Sequence, residues 1–149
     1  MNGRIVIIED DQELLQMLTT RLCRHGFVIA ACHNGREGLA AVSSDTVDVI
    51  LTALNLPDMS GTALCREIST QWPEIPVVIM TAFSSMEAAI AAIRAGAYDF
   101  IPKPFDFNIL ELVLTRAINH RRLQDTVKRL SQALEQTRSF DELIGESPA

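Results

Sequence analysis

The feature that most constrains the fold is a set of short runs that are apolar at almost every position. VDVIL at residues 47–51 and PVVIM at residues 76–80 lack the polar alternation of a strand with one face in water. Strands of this kind are buried on both faces, as in a parallel sheet covered by helices. The chain is therefore expected to fold around a parallel sheet that lies between two layers of helices.

Segments of helical length separate the apolar runs. The predicted strands are Arg4–Ile8, Phe27–Ala31, Asp48–Ala53, Pro76–Met80 and Tyr98–Ile101. The apolar stripes predicted for the helices are Leu14, Leu15, Leu18 and Leu22; Leu39 and Val42; Leu64 and Ile68; Met86, Ile90 and Ile93; and Leu110, Val113, Leu114 and Ala117. Gly26 and Gly96 stand where helices are expected to end. Five such units predict a doubly wound α/β domain of about 120 residues with right-handed crossovers.

Composition excludes several classes of protein. Of the 149 residues, 48% are hydrophobic and 21% charged, which excludes a disordered chain. No apolar run approaches the roughly 18–20 residues of a membrane span, and the N-terminal run is too short for a signal peptide. The net charge of −6 argues against a chain whose main domain binds nucleic acid. We expect a cytoplasmic protein in which Cys23, Cys32 and Cys65 are buried thiols, without a disulfide or a zinc site.

The predicted fifth helix continues beyond the α/β domain, because no proline or glycine interrupts residues 106–138. Apolar residues recur there at spacings of four, three and four: Leu123, Val127, Leu130 and Leu134. This is the seam pattern of a coiled coil over about two heptads. A solvated linker helix and a parallel two-stranded coiled coil both remain open, and we favour the coiled coil. Residues 140–149 are expected to form a loop.

Polar side chains collect where the predicted strands end, and ligands bind at the carboxyl ends of the strands in open parallel sheets. Glu9 and Asp10 follow the first strand and offer the oxygen ligands that Mg²⁺ prefers, whereas Asp11 is better explained as a helix cap. Thr81 follows the fourth strand and Lys103 the fifth. A lysine, a hydroxyl and a divalent cation around one point form a phosphoryl-binding constellation. A flavin site would instead need a phosphate loop where this chain has three acids.

These residues resemble the receiver domain of two-component response regulators over about residues 4–120. The segments IIEDD, LTALNLPDMSG, MTA and KPF occur in the order and spacing of that family. The resemblance implies a flavodoxin-like, five-stranded sheet with strand order 2-1-3-4-5. It implies that Glu9, Asp10 and the backbone carbonyl of Asn55 bind Mg²⁺. It also implies a cis peptide bond between Lys103 and Pro104.

The resemblance assigns three further roles and meets one departure. Thr81 corresponds to the switch hydroxyl, Lys103 to the lysine that pairs with the phosphoryl group, and Phe100 to the switch aromatic. Ala53, four residues before Pro57, occupies the position of the phosphoacceptor aspartate. A methyl group can neither accept a phosphoryl group nor bind a metal. We therefore expect a receiver that cannot be phosphorylated and that binds Mg²⁺ more weakly. The chain is either a naturally silent receiver or carries a deliberate substitution, and the otherwise complete pocket favours the substitution.

The C-terminal segment LIGESPA is similar to the start of an AAA+ ATPase domain in NtrC-type sigma-54-dependent activators. In those proteins a helical linker joins the receiver to the ATPase. We expect a receiver domain at residues 1–120, a coiled-coil linker at 121–139 and the start of a truncated AAA+ domain at 140–149. No GxxxxGK motif occurs, so the chain is expected to carry no ATPase. As a regulatory module it is not expected to be an enzyme.

The resemblance also implies partners. They are a cognate sensor histidine kinase and, in the parent protein, the AAA+ domain and sigma-54 RNA polymerase. A homodimer is expected through the C-terminal helix and through the face of the fourth helix, fifth strand and fifth helix. The fourth helix carries several small residues, which either let a partner approach closely or simply favour a helix, and both interpretations remain open. These residues are Ala88, Ala89, Ala91, Ala92 and Ala95.

Other functions fit the sequence less well. A stand-alone receiver, or a pseudo-receiver acting as a protein-interaction module, would not need the seam or the C-terminal segment. In a histidine phosphotransfer module an acid would follow the histidine, but two arginines follow His120. Residues 116–138 carry six basic and two acidic side chains, yet the basic residues do not form a block before the seam. We therefore expect coiled-coil flanks there and no direct DNA binding.

Overall fold

A computed structural model describes residues 3–82 and 86–144, with the side chains of the last helix described as far as residue 137. Within these ranges five strands alternate with five helices. The strands are β1 (Arg4–Ile8), β2 (Val28–Cys32), β3 (Val49–Ala53), β4 (Val77–Thr81) and β5 (Asp99–Pro102). The helices are α1 (Gln12–Arg24), α2 (Gly35–Ser44), α3 (Gly61–Gln71), α4 (Met86–Arg94) and α5 (Phe107–Ile144).

The strands form one parallel sheet in the order β2-β1-β3-β4-β5, which confirms the predicted flavodoxin-like fold. Each strand lies within one residue of its predicted place. The chain first adds β2 on one side of β1 and then places β3 on the other side. This reversal opens a crevice at the carboxyl ends of β1 and β3, where doubly wound proteins bind their ligands.

Two hydrophobic layers enclose the sheet. Every residue of β3 and β4 is buried, as the continuous apolar runs predict. Alternate strand residues point into the two layers, so that Leu51 packs toward α1 and α5 while Ile50 packs toward α2, α3 and α4. The predicted stripes of α1, α3 and α5 lie in these layers. The helices are therefore fixed on both faces, and the strand ends remain as the accessible edge of the sheet.

Local sequence signals fix several helix ends. The Asp11 carboxylate accepts hydrogen bonds from the backbone N–H groups of Glu13 and Leu14, which confirms its role as the cap of α1. Gly26 and Gly96 have positive φ angles of 92° and 100°, as expected for residues that end helices. These ends determine where each strand begins and hence where the carboxyl edge lies.

The α2 helix receives a second cap from a distant loop. The carboxylate of Asp58 accepts hydrogen bonds from the backbone N–H groups of Gly35 (2.8 Å) and Arg36 (2.9 Å), alongside the Asn34 side chain that caps the same helix. The Gly35 bond, together with the Arg36 bond, holds the pKa of Asp58 below its usual value. The loop between β3 and α3 is thus tied to the N-terminus of α2.

The α4 helix is turned differently from the prediction. Its large apolar residues Met86, Ile90 and Ile93 are exposed, whereas Ala92 and Ala95 are buried against the sheet. The prediction that the large residues form the core face is therefore wrong. The expectation that a partner approaches the alanines is also wrong for Ala92 and Ala95, because the protein's own core covers them. Small side chains let α4 lie close to the sheet.

One of the three cysteines departs from the prediction. Cys32 and Cys65 are buried free thiols, but Cys23 is exposed on the outer side of α1. Burial raises the pKa of the Cys32 thiol to about 11 and also raises the pKa of Cys65. Both buried thiols are therefore protonated at neutral pH.

The α5 helix is the long element that the sequence predicts, and it extends further than expected. The helix reaches Ile144, so residues 140–144 do not form the expected loop, and residues 145–149 lie outside the described residues. Its buried side chains end at Ile118. Beyond Ile118, the Arg121 Nη1 atom lies 3.7 Å from Asp48 Oδ1, and Asp48 Oδ2 accepts a hydrogen bond from the Arg4 backbone N–H.

The four seam residues of α5 are between 54% and 66% exposed: Leu123, Val127, Leu130 and Leu134. The rest of α5 beyond Arg121 is also largely solvated as far as its side chains are described.

Every helix among the described residues is either too short or too polar to span a membrane.

Burial in the centre of the sheet predicts a large difference between two isoleucines. Replacing the fully buried Ile79 by alanine is expected to lower the free energy of unfolding by about 3–4 kcal/mol, because a cavity remains in the core. Ile93→Ala, at a residue that is 55% exposed, is expected to cost less than about 1 kcal/mol. Urea unfolding followed by circular dichroism measures both, and equal losses would contradict this packing.

The Asp58 cap predicts a pH dependence of stability. Because the folded pKa lies below the usual value of 3.8, the stabilisation is present above that value and is lost as the pH falls through the folded pKa. Asp58→Asn is expected to lower the urea midpoint at neutral pH, and the two proteins should converge in acid. Glu67→Gln, which removes the same charge from the exposed face of α3, is the control. A midpoint difference independent of pH would exclude an ionised cap.

Candidate functional site

A cleft of about 270 Å³ opens at the carboxyl ends of β1, β3, β4 and β5. Its lining residues are Glu9, Asp10, Asp11, Ala53, Leu54, Asn55, Met80, Thr81, Ala82 and Lys103. All the predicted metal and phosphoryl-site residues meet here, although they come from distant parts of the sequence. Phe100 is not among the lining residues; its half-buried ring packs against the layer that α2, α3 and α4 cover.

The carboxylate of Glu9 is the most buried charge of the cleft, with 2% of the residue exposed. Its backbone N–H donates to the Cys32 carbonyl at the end of β2 (3.0 Å). The Oε1 atom accepts a hydrogen bond from Lys103 Nζ (2.7 Å), and Oε2 accepts one from the Asp11 backbone N–H (3.2 Å). Both carboxylate oxygens therefore have donors within the protein, and an ammonium balances the charge.

The backbone positions Lys103 at the end of β5. Its N–H donates to the carbonyl of Thr81 at the end of β4 (2.6 Å), and the Lys103–Pro104 peptide bond is cis, as the resemblance implies. The side chain is 24% exposed and crosses the cleft to Glu9. Thr81 itself is buried at 2% exposure. Thr81 and Lys103 thus both line the cleft.

The third strand supplies a methyl group where a reactive side chain could stand. Ala53 is 3% exposed at the end of β3, and the following residue, Leu54, donates its N–H to the Met80 carbonyl (2.9 Å). A Cβ at Gly61 would collide with the Ala53 carbonyl, so a glycine is needed where α3 begins against this loop. An isolated bridge between Asn55 and Ser60 closes the same loop. The floor of the cleft is tightly packed against the start of α3 and carries no nucleophile at position 53.

The oxygen ligands match Mg²⁺ in type but not in availability. The described residues hold no group of three or more His, Cys, Asp or Glu side chains arranged to bind a metal ion. Three acidic residues line the cleft: Lys103 engages Glu9, the Asp11 carboxylate caps α1, and Asp10 is exposed to water. Mg²⁺ requires near-octahedral oxygen coordination. With Glu9 paired to Lys103, Asp11 capping α1 and alanine at position 53, the side chains of this cleft form a poor ligand set for a resident divalent cation.

Sequence reasoning missed two contacts that shape the cleft. The ion pair between Glu9 and Lys103 joins residues 94 positions apart, and the only signal for it was that both follow strands of one sheet. The bond of Asp58 to the N-terminus of α2 was also missed. The preference of helix N-termini for acidic side chains could have suggested it, although no spacing rule identifies the helix.

The family comparison matches residues 5–115 to the response regulator receiver domain. Among curated proteins, NtrC of Proteus hauseri is 36% identical over 147 residues, which cover 99% of this chain and 30% of that protein. The regulatory protein AtoC of Escherichia coli is 32% identical, with coverage of 99% and 32%. ZraR of Salmonella typhimurium is 37% identical over 145 residues, with coverage of 97% and 32%. The chain spans about a third of the length of these relatives.

Solved structures give the same result. A response regulator receiver domain protein from Clostridium thermocellum superposes with a TM-score of 0.78 at 28% identity, covering 82% of this chain and 98% of the other. NtrX from Brucella abortus, in complex with ADP, gives a TM-score of 0.80 at 32% identity, with coverage of 87% and 29%. Because the family match extends over most of the residues, from β1 into α5, this chain belongs to the response regulator receiver domain family.

Proposed function

We propose that this chain is the receiver module of an NtrC-type response regulator that controls sigma-54-dependent transcription, in a form that cannot be phosphorylated. The observation that carries the proposal is that Glu9, Thr81 and Lys103 surround Ala53 in one cleft. Membership of the receiver family supports this cleft as the site, and the alanine at position 53 supports its silence. Receiver domains are generally regulatory modules, and no enzymatic activity is assigned to this one.

The chemistry follows from position 53. An acyl phosphate forms when a carboxylate oxygen attacks phosphorus, and a methyl group has no lone pair for this attack. We assign Thr81 as the switch hydroxyl, Lys103 as the phosphoryl-pairing cation and Phe100 as the switch aromatic. Without a phosphoryl group to contact Thr81 and Lys103, the equilibrium between conformers keeps its resting bias. The module therefore remains in the unphosphorylated state of the signalling cycle.

The relatives suggest the context in which the module works. Proteins named NtrC, AtoC and ZraR match nearly all of this chain but are about three times as long. We infer a parent protein with an AAA+ domain after the linker, which would engage sigma-54 RNA polymerase, and a cognate sensor histidine kinase upstream. The module is assigned to the cytoplasm, with no direct contact to DNA. A silent pseudo-receiver that acts as an interaction module is the second candidate, and the ion pair inside the cleft favours it.

We further infer that two copies associate through α5. Exposed apolar residues at coiled-coil spacing have no apolar partner among the described residues, and water penalises such a stripe. A second copy of the helix would cover it. The exposed Met86, Ile90 and Ile93 of α4 extend the apolar surface on the receiver body. This supports a homodimer that uses the linker together with the α4-β5-α5 face.

The proposal predicts that position 53 alone decides phosphorylation. Incubated with acetyl phosphate, the chain should gain no mass, whereas Ala53→Asp should gain one phosphoryl group that is stable at neutral pH and lost in base. Ala82→Asp places a carboxylate elsewhere on the cleft and is the matched control; it should remain unlabelled. Intact-protein mass spectrometry gives the result. A base-labile phosphoryl group on the unsubstituted chain would refute the proposed silence.

The seam predicts the oligomeric state. Sedimentation should show a dimer for the full chain and a monomer when the chain ends near residue 120. In the full-length chain, Leu130→Glu should weaken the dimer at least tenfold, about 1.4 kcal/mol, because it places a charge in the seam. Gln132→Glu adds the same charge to the exposed flank and should leave the dimer in place. A monomeric full chain would rule out the coiled coil.

A further inference from the structure

We propose that the ammonium of Lys103 takes the place of the divalent cation in this chain, so that the acidic cleft is neutralised internally and its folded state does not depend on Mg²⁺. This inference rests on the proposed function, because it concerns the same cleft. It goes beyond weakened metal binding, since it names the group that replaces the metal and the carboxylate that this group occupies.

The first observation is the burial of the acid. Glu9 is 2% exposed, and a carboxylate removed from water in this way destabilises the fold unless a positive group and hydrogen bonds compensate it. Lys103 Nζ provides the positive charge at 2.7 Å from Oε1. The Asp11 N–H provides the second hydrogen bond at 3.2 Å from Oε2. A metal ion in an acidic site compensates the buried negative charge, and here Lys103 and the Asp11 N–H already compensate the Glu9 carboxylate.

The second observation is that the backbone fixes both partners. Glu9 donates its N–H to Cys32 at the end of β2, and Lys103 donates its N–H to Thr81 at the end of β4. Because the sheet holds these two backbone positions, the ion pair spans the cleft from β1 to β5. A divalent ion that coordinates Glu9 would have to share the carboxylate with an ammonium, and the two positive charges would repel each other.

The third observation is the charge count at the strand ends. With alanine at position 53, Glu9, Asp10 and Asp11 line the cleft together with one ammonium, and Glu9 is the one buried acid among them, because Asp10 and Asp11 are exposed to water. An aspartate at position 53 would add a second buried carboxylate, on the floor of the cleft, and Lys103 could not balance it together with Glu9. The alanine thus removes the excess negative charge that would recruit a cation, and the ion pair becomes sufficient.

Thermal unfolding of the full chain, in EDTA and in millimolar Mg²⁺, tests the inference. The melting temperature of the unsubstituted chain should be the same in both. Lys103→Met removes the ammonium while keeping an unbranched stem, and its melting temperature should rise with Mg²⁺ because a cation now compensates Glu9. The expected Mg²⁺ affinity of this variant is at least about tenfold higher than that of the unsubstituted chain. Lys128→Met removes the other lysine, which is exposed on α5, and should show no response to Mg²⁺.

A second measurement decides the matter if Lys103→Met does not fold. Lys103 and Lys128 are the two lysines of the chain, so an ammonium NMR spectrum can be assigned with the Lys128→Met variant. The paired Lys103 ammonium should exchange its protons slowly and keep its Nζ shift when Mg²⁺ is added. A rise in melting temperature of the unsubstituted chain with Mg²⁺, or displacement of the Lys103 signal by Mg²⁺, would overturn the inference.

The Ala53→Asp variant separates the inference from the function on which it rests. If Ala53→Asp binds Mg²⁺ and accepts a phosphoryl group but a folded Lys103→Met gains no metal affinity, the receiver function stands and the internal cation is refuted. If Ala53→Asp neither binds Mg²⁺ nor is phosphorylated, the proposed receiver site itself fails. Metal binding in both variants, with none in the unsubstituted chain, supports both.

Discussion

Burial of the central strands on both faces is the constraint on which the rest of the structure depends. Every side chain of β3 and β4 is inside the protein, so helices must cover the sheet above and below. The strand ends are then the place where polar groups can gather without disturbing either hydrophobic layer. Because strands β1, β3, β4 and β5 are parallel, residues far apart in sequence meet at one edge. The cleft is thus a consequence of the sheet.

Much of the fold is encoded locally and could be predicted. Continuous apolar runs mark strands, and glycines such as Gly26 mark helix ends, because these signals concern a residue and its neighbours. The orientation of α4 is different in kind. Its sequence offers both a face of large residues, including Ile93, and a face of alanines, including Ala92. Which face meets the sheet depends on how closely the backbones approach, and no periodicity in a single helix contains that distance.

The candidate site divides in the same way. The order of the motifs predicts that Glu9, Thr81 and Lys103 meet at the strand ends, and all three line one cleft. This could be predicted because the topology determines where strand ends meet. The hydrogen bond from Lys103 to Glu9 could not be predicted from that order, since it depends on the reach of two long side chains across the sheet. The methyl group at position 53 offers Lys103 no partner, and the ammonium is paired with Glu9.

The helix α5 runs without interruption from the receiver body into the solvated extension beyond Arg121. The last buried side chain is Ile118, and the Arg121–Asp48 pair lies at the edge of the body. The helix therefore leaves the packed body near residue 120. From Arg121 to Ile144 an uninterrupted helix is about 35 Å long. A tilt of about 10° at its root moves the far end by roughly 6 Å, about the diameter of two water molecules. A small rotation of α5 at the edge of the body would therefore displace its far end by several ångströms.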